Sequence, residues 1–290
     1  MTTAPDLRTR AEALGQSLPP LLAEAEMLAS TVMLGEHGRR RAGMGDEFWQ
    51  YRPAHAGDSA RNIDWRRSAR SDAHFVRERE WQAAQSVTIW VDQGRSMGFS
   101  GAKGRAPKSD RAKLLALALS VLLLRGGERV GLAGLGHPHA GRAQLLKLAV
   151  RLSGEGGAQD YATPETEGMV SYGRGVFLSD FLGDLQGIEA GLARAADRGV
   201  KGCLIQILDP AEEEFPFDGR TIFESMGGSL RHETQQAGDL RAHYLKRLAE
   251  RKDRLAGLAR SVGWHFTTHH TGGPAQSALL WAYLALEGGR

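Results

Sequence analysis

From residue 86 onward the chain alternates apolar runs of strand length with runs of helical period, and no other feature restricts its fold so tightly. The strand-like runs are 86–92, 129–135, 175–180 and 202–208, separated by helical segments at 109–125, 141–152 and 184–197. A strand, a helix and a second strand in one sheet make a parallel pair, because the helix carries the chain back to the end where the first strand began. Runs such as Gly175-Val-Phe-Leu-Ser179 need cover on both faces, and the intervening helices supply it. The expected fold is therefore α/β, a three-layer doubly wound sheet that is mostly parallel. Segment 238–260 puts Leu240, Tyr244, Leu248, Leu255 and Leu258 on one side and basic residues elsewhere, which reads as an amphipathic helix packed on the sheet with a solvated basic face. A strand at 264–268 and a helix at 276–286 complete the domain.

Residues 6–33 carry leucines at roughly helical spacing, with Pro19 and Pro20 forcing a break or a helix start. Between 35 and 81 the periodicity is poor, which predicts short strands and long loops. The boundary is placed near residue 85, giving an N-terminal helical and irregular region, 1–85, and a sheet domain, 86–290. The net charge of +3 leans basic, but residues 36–81 hold ten Arg against eight acids, which argues against a simple nucleic-acid stripe. The one cysteine, Cys203, lies in the apolar run 202–208 and reads as a small buried hydrophobe, so no disulfide framework or cysteine zinc site is expected. The apolar stretch Leu114–Leu124 is eleven residues long, against the ~20 that a membrane-spanning helix needs. With no basic segment followed by an apolar one near residue 1, a cytoplasmic location is the expectation.

Three of the predicted strands end in an acid: Val91-Asp92, Ser179-Asp180 and Leu208-Asp209. In a parallel sheet these ends lie on one edge, where ligands bind beside a change of strand direction. Asp92 is followed by a small-residue loop, Gln93-Gly-Arg-Ser-Met97, which adds a hydroxyl at Ser96. Asp209 precedes Pro210, a setting in which an aspartate makes a turn or cap.

Upstream, Gly57, Asp58, Arg61, Ile63, Asp64 and Trp65, then Ser68, Ala69 and Arg70, and later Asp92, Ser96 and Met97 fall in register with one pattern. It reads Gly-Asp-x-x-Arg-x-Ile-Asp-Trp, then Ser-Ala-Arg, then Asp-x-Ser-x-Ser-Met. On these residues the chain resembles the von Willebrand factor A-like family known as domain of unknown function fifty-eight, across residues 35–285. The resemblance implies a divalent cation on the sheet edge, with Asp92 and Ser96 on its first loop, Asp180 on a later one, and a position for a partner's carboxylate. It also implies a non-catalytic adaptor that works with a MoxR-type AAA+ ATPase to assemble or activate another complex.

One position departs from the pattern: Gly94 stands where its first Ser belongs. Mg²⁺, the ion such a site would take, wants octahedral oxygen ligands, and Gly94 removes a hydroxyl. Neither Thr163 nor Thr166 offers a clear replacement. The expectation is a degenerate site in which Asp92 organises its loop through hydrogen bonds, and Arg95 with backbone amides takes the partner's carboxylate. Asp58, Arg61, Asp64 and Arg70 alternate in sign and admit two readings. They form a network locking this region onto the sheet with Trp65 as apolar anchor, or an exposed docking surface.

Other classes find less in the chain. A Gly-x-Ser-x-Gly elbow and a phosphate-loop signature are both absent, leaving Gly98–Ser109 as a flexible loop. His137 with His139, and His269 with His270, lack further ligands at helpful spacing and read as surface histidines; Glu212–Glu214 reads as a solvated acidic run. The alternative function is a metal-dependent phosphate hydrolase or nuclease using Asp92, Asp180 and Asp209 as ligands. A weaker one is nucleic-acid binding through the basic face of 241–254, whose sign would be a steep salt dependence.

Overall fold

The computed structural model describes residues 20–35, 48–54, 63–69, 73–79, 84–154, 156–228 and 231–287. In chain order, the described elements are α1 (Pro20–Gly35), β1 (Phe48–Pro53), α2 (Trp65–Ser68), β2 (Phe75–Arg79), β3 (Ser86–Val91), α3 (Lys108–Arg125), β4 (Arg129–Leu132), α4 (Arg142–Leu152) and β5 (Arg174–Ser179). They continue with α5 (Leu185–Asp197), β6 (Lys201–Leu208), α6 (Pro210–Glu214), β7 (Thr221–Glu224), β8 (Arg231–Thr234), α7 (Ala237–Ser261), β9 (His265–His270) and α8 (Ala275–Glu287). A single 3-10 turn, Arg95–Gly98, follows β3.

The central sheet has the order β4-β3-β5-β6-β9, and every neighbouring pair is parallel. Side chains alternate strictly across it, as the two-residue period of a strand demands. Val87, Ile89, Val91, Val176, Leu178, Cys203, Ile205 and Ile207 enter one core with α1, α3, α4 and α8. Trp90, Phe177 and Leu204 enter the other with α5 and α7, where Trp264 and Phe181 join them. Cys203 is fully buried, and burial pushes its thiol pKa up to about 12. Gly175 is required by this second core: a Cβ there would stand 2.4 Å from the Trp264 ring, whose Nε1–H donates to the Val200 carbonyl at 2.9 Å.

The chain divides differently from the expected split at residue 85. Residues 36–84 form one compact unit, and the described helix α1 belongs with residues 85–290. The cause is apolar packing: Leu22, Ala25, Ala29 and Val32 of α1 are buried in the core shared with α3 and α8. Helix α3, covered by the sheet on one side and α1 on another, can therefore be apolar almost all round. Among the described residues no helix is long and apolar enough to cross a membrane.

The smaller unit contains the antiparallel pair β1–β2 and the short helix α2. Asp64 caps α2, its Oδ1 accepting the Arg67 amide at 3.1 Å, and the Ser68 hydroxyl accepts the Phe75 amide at 3.0 Å. A second antiparallel hairpin, β7–β8, is inserted between α6 and α7.

Candidate functional site

The chain leaves β3 toward β4 on one side and returns to β5 on the other, so the carboxyl ends of β3 and β5 flank the point where the winding reverses. Asp92 and Asp180 follow those two strands, and Asp209 follows β6. All three are buried, at 2%, 0% and 0% exposure. Buried carboxylates require donors, and each of these finds them within the chain.

Asp92 Oδ2 accepts the Ser179 hydroxyl at 2.6 Å and Oδ1 accepts the Gly94 amide at 2.7 Å; the Ala162 amide is a further donor. Burial, helped by the charge of Asp180, pushes the Asp92 pKa up to about 6 in spite of those donors. Asp180 Oδ1 accepts the Leu182 amide at 3.0 Å, and its Oδ2 meets the Lys108 ammonium at 2.9 Å. Lys108, 1% exposed, donates also to Glu212 Oε1 at 2.6 Å. Burial opposes the Lys108 charge, but Asp180 and Glu212 together outweigh it and raise the pKa.

Asp209 is the cap foreshadowed by Pro210. It starts α6 with a capping box, accepting the Ala211 amide at 2.9 Å while Glu212 Oε2 accepts the Asp209 amide at 2.8 Å. Arg105 donates to Asp209 Oδ1 at 2.7 Å and Thr271 to Oδ2 at 3.1 Å. Burial pushes this carboxyl up, but those donors and the Gly101 amide hold it below the usual range. The loop Gly98–Ser109, expected to be flexible, is thus tied down, with the Ser100 hydroxyl also donating to the Arg105 carbonyl at 2.9 Å.

A divalent ion here would need Asp92, Ser96 and Asp180 to turn oxygens toward one point. Ser96 has an oxygen to offer: its Oγ is shut from solvent with no hydrogen-bond partner among the described residues. The two aspartates do not, since Asp92 is engaged through both oxygens and Asp180 already holds an ammonium. Nor is there room for the missing serine. A Cβ on residue 94 would stand 2.8 Å from the Asp160 carbonyl, 2.9 Å from Asp92 Oδ1 and 3.0 Å from the Ala162 amide nitrogen. Asp92, Ser96 and Asp180 therefore do not fit Mg²⁺. No group of three or more His, Cys, Asp or Glu among the described residues is arranged to hold a metal.

The rim above these buried groups is open. Arg95 is exposed, Tyr161 and Met226 are 37% and 51% exposed, and the Met226 methyl lies 3.6 Å from where a Gly98 Cβ would be. A cleft of about 390 Å³ runs alongside, lined by Gln93, Gly94, Gly157, Gln159, Arg151 and Glu165 among others.

Sequence reasoning missed Lys108, Ser179 and Glu212. Lys108 carried one signal: a lysine in the first turn of a long apolar helix opposes the helix dipole and calls for an acid to pair with. Glu212 and Glu213, expected to be solvated, are partly buried; Glu213 pairs with Lys252 and, at 3.0 Å, His270. His269 is no surface histidine either. It is 8% exposed, lies 2.9 Å from the Arg111 guanidinium, and has its pKa pushed down to about 4 by burial and that charge. On α7, Leu248 and Leu255 are buried, and Arg251 turns from the basic face to donate to the Phe181 carbonyl at 2.8 Å. Of the upstream motif, Gly57, Asp58, Arg61 and Arg70 lie outside the described residues. Asp64 is the cap of α2, and Trp65 beside it sets its ring edge-on to His74 at 5.5 Å within the smaller unit.

Comparison with known proteins identifies the family. Residues 50–254 match the model of a family described as protein of unknown function DUF58. An uncharacterized protein of Mycobacterium tuberculosis H37Rv is 26% identical over 251 residues, spanning 80% of this chain and 77% of its own, and a Mycobacterium bovis protein gives the same figures. Among solved structures, an aerotolerance-related membrane protein from Bacteroides fragilis, carrying multiple mutations to serine, aligns at 12% identity with a TM-score of 0.36. The conserved hypothetical protein BatB from Bacteroides thetaiotaomicron gives the same values, and each alignment covers 70% of this chain and 98% of the other. The family match runs from the smaller unit through the sheet edge at Asp92, Asp180 and Asp209, and by it the chain belongs to the DUF58 family.

Proposed function

We propose that this chain is a non-catalytic adaptor that binds other proteins through the carboxyl edge of its sheet. Its partner in this reading is a MoxR-type AAA+ ATPase, the pair acting in the cytoplasm, where ATP is available, to assemble or activate a further complex. One observation carries the reading: the acids of the edge are buried and committed to donors of their own chain, while the exposed rim offers a cation and apolar surface. Arg95 can take a partner's carboxylate through its planar fork, with Met226 and Tyr161 supplying apolar contact beside it. The hydrolase alternative is less well supported, because it needs Asp92, Asp180 and Asp209 free to hold metal and substrate.

The test uses exposed positions, so that folding is not disturbed. Arg95→Glu and Met226→Asp, separately and together, are titrated against the purified MoxR-type ATPase of the same host with ATP and Mg²⁺. Each single change is expected to weaken binding at least about tenfold, the scale of an interface anchor, with the unfolding midpoint unchanged. Unchanged affinity in the double variant would overturn the docking edge. Metal-dependent phosphoester cleavage by the purified protein, abolished in Asp180→Asn, would favour the hydrolase.

A further inference from the structure

We infer that the Lys108 ammonium is the resident cation of this sheet edge, bridging and neutralising its loops as a bound divalent ion otherwise would. The edge gathers Asp92, Asp180 and Glu212 in surroundings largely closed to water, and such a collection of acids needs a positive charge among them. Lys108 supplies it from the first residue of α3, reaching a residue 72 positions away in sequence and another 104 away. One ammonium thereby ties together the start of α3, the end of β5 and helix α6.

Helix electrostatics would not choose this position, since the first turn of a helix favours negative charge. The two carboxylates explain it. The Phe99 ring lies on another side of the ammonium, 5.6 Å from Nζ, where an aromatic face attracts a cation. Three N–H donors facing two carboxylate oxygens and a ring suit an ammonium, and not an ion that wants six oxygens in an octahedron. A cation tethered to the backbone cannot dissociate, so the edge is assembled whether or not Mg²⁺ is present. The inference stands apart from the adaptor reading and holds whatever the edge binds.

Thermal unfolding of the full-length protein tests it, with the wild type measured in EDTA, Mg²⁺ and Mn²⁺, alongside Lys108→Met and the triple variant Lys108→Met/Asp180→Asn/Glu212→Gln. The wild-type midpoint is expected to be the same in all three solutions. Lys108→Met keeps the stem but strands the buried Asp180 and the partly buried Glu212, and its midpoint should fall by roughly 10 °C. Neutralising both acids as well should restore most of that loss; the triple variant also serves as the folded reference if Lys108→Met does not fold. A wild-type midpoint that rises with Mg²⁺ or Mn²⁺ and falls in EDTA would overturn the inference. So would a Lys108→Met midpoint equal to wild type, or a triple variant as unstable as the single one, since the ammonium charge would then not be what holds the edge.

Discussion

Asp92 illustrates how one residue can shape the edge and burden it at once. Its oxygens organise the loop after β3 through Gly94 and draw in Ser179 from the neighbouring strand. Its Oδ1, with the Asp160 carbonyl and the Ala162 amide nitrogen, leaves no space at position 94 for a side chain, which accounts for glycine there. Burial with Asp180 nearby raises its pKa from 3.8 to about 6, and the sign of the consequence is opposite to that of a salt-bridged aspartate. Between those two values the folded state holds a proton that the unfolded chain has released, so stability falls as pH rises through that window. The loss amounts to roughly 3 kcal/mol once Asp92 is ionised in both states. Asp92→Asn keeps an acceptor for Gly94 and cannot ionise. Its stability relative to wild type should therefore climb by roughly 2–3 kcal/mol between about pH 4 and pH 7.5 in urea titrations. A difference that stays flat with pH would mean that Asp92 titrates alike in the folded and unfolded chains, with no raised pKa in the fold. The paired measurement cancels other groups, including Asp209, whose depressed pKa contributes stability that disappears at lower pH.

Among the elements, α1 is where the sequence is least explicit and the packing most decisive. Leu22 at 1% exposure and Ala25 and Ala29 at 0% are as deeply buried as any residue of α3, so α1 is part of the core. Leu22→Ala is expected to cost about 2–5 kcal/mol in a single cooperative transition, as a leucine in any well-packed core would. An unchanged midpoint in chemical denaturation would make α1 an appendage instead. The parallel sheet was legible in the sequence because its strands are apolar on both faces, which leaves few architectures open, and α7 was legible from its 3.6-residue period. Hairpin β7–β8 was not: its four-residue strands are largely exposed, and Arg231-His-Glu-Thr234 has no apolar face to betray it. At the edge, the three strand-ending acids could be read directly, because a parallel sheet sends all carboxyl ends to one side. Their partners could not. Lys108 reaches Asp180, Ser179 reaches Asp92 and Glu212 meets the same lysine through tertiary contacts, and a linear pattern carries no sign of which partners will arrive.

At the scale of the molecule, the division of the chain separates two questions that the family motif joins. Both hydrophobic cores draw their described residues from outside 36–84, so the larger unit has what it needs to fold alone. The motif Gly57–Arg70 lies in the smaller unit, where Asp64 has a local task as a helix cap and Trp65 keeps more than half its surface exposed. Replacing residues 36–84 by a flexible Gly/Ser linker of about 15 residues should leave one cooperative transition, with a midpoint within a few degrees of wild type. A collapsed or broadened transition would mean that the larger unit depends on the smaller. With the larger unit intact, binding of the MoxR-type ATPase then decides what the motif does. Affinity retained without residues 36–84 confines the motif to the architecture of its own unit and leaves the sheet edge as the contact. Affinity lost while Arg95 and Met226 are still present makes the motif a second contact surface, and an exposed tryptophan beside arginines is the composition such a surface would have.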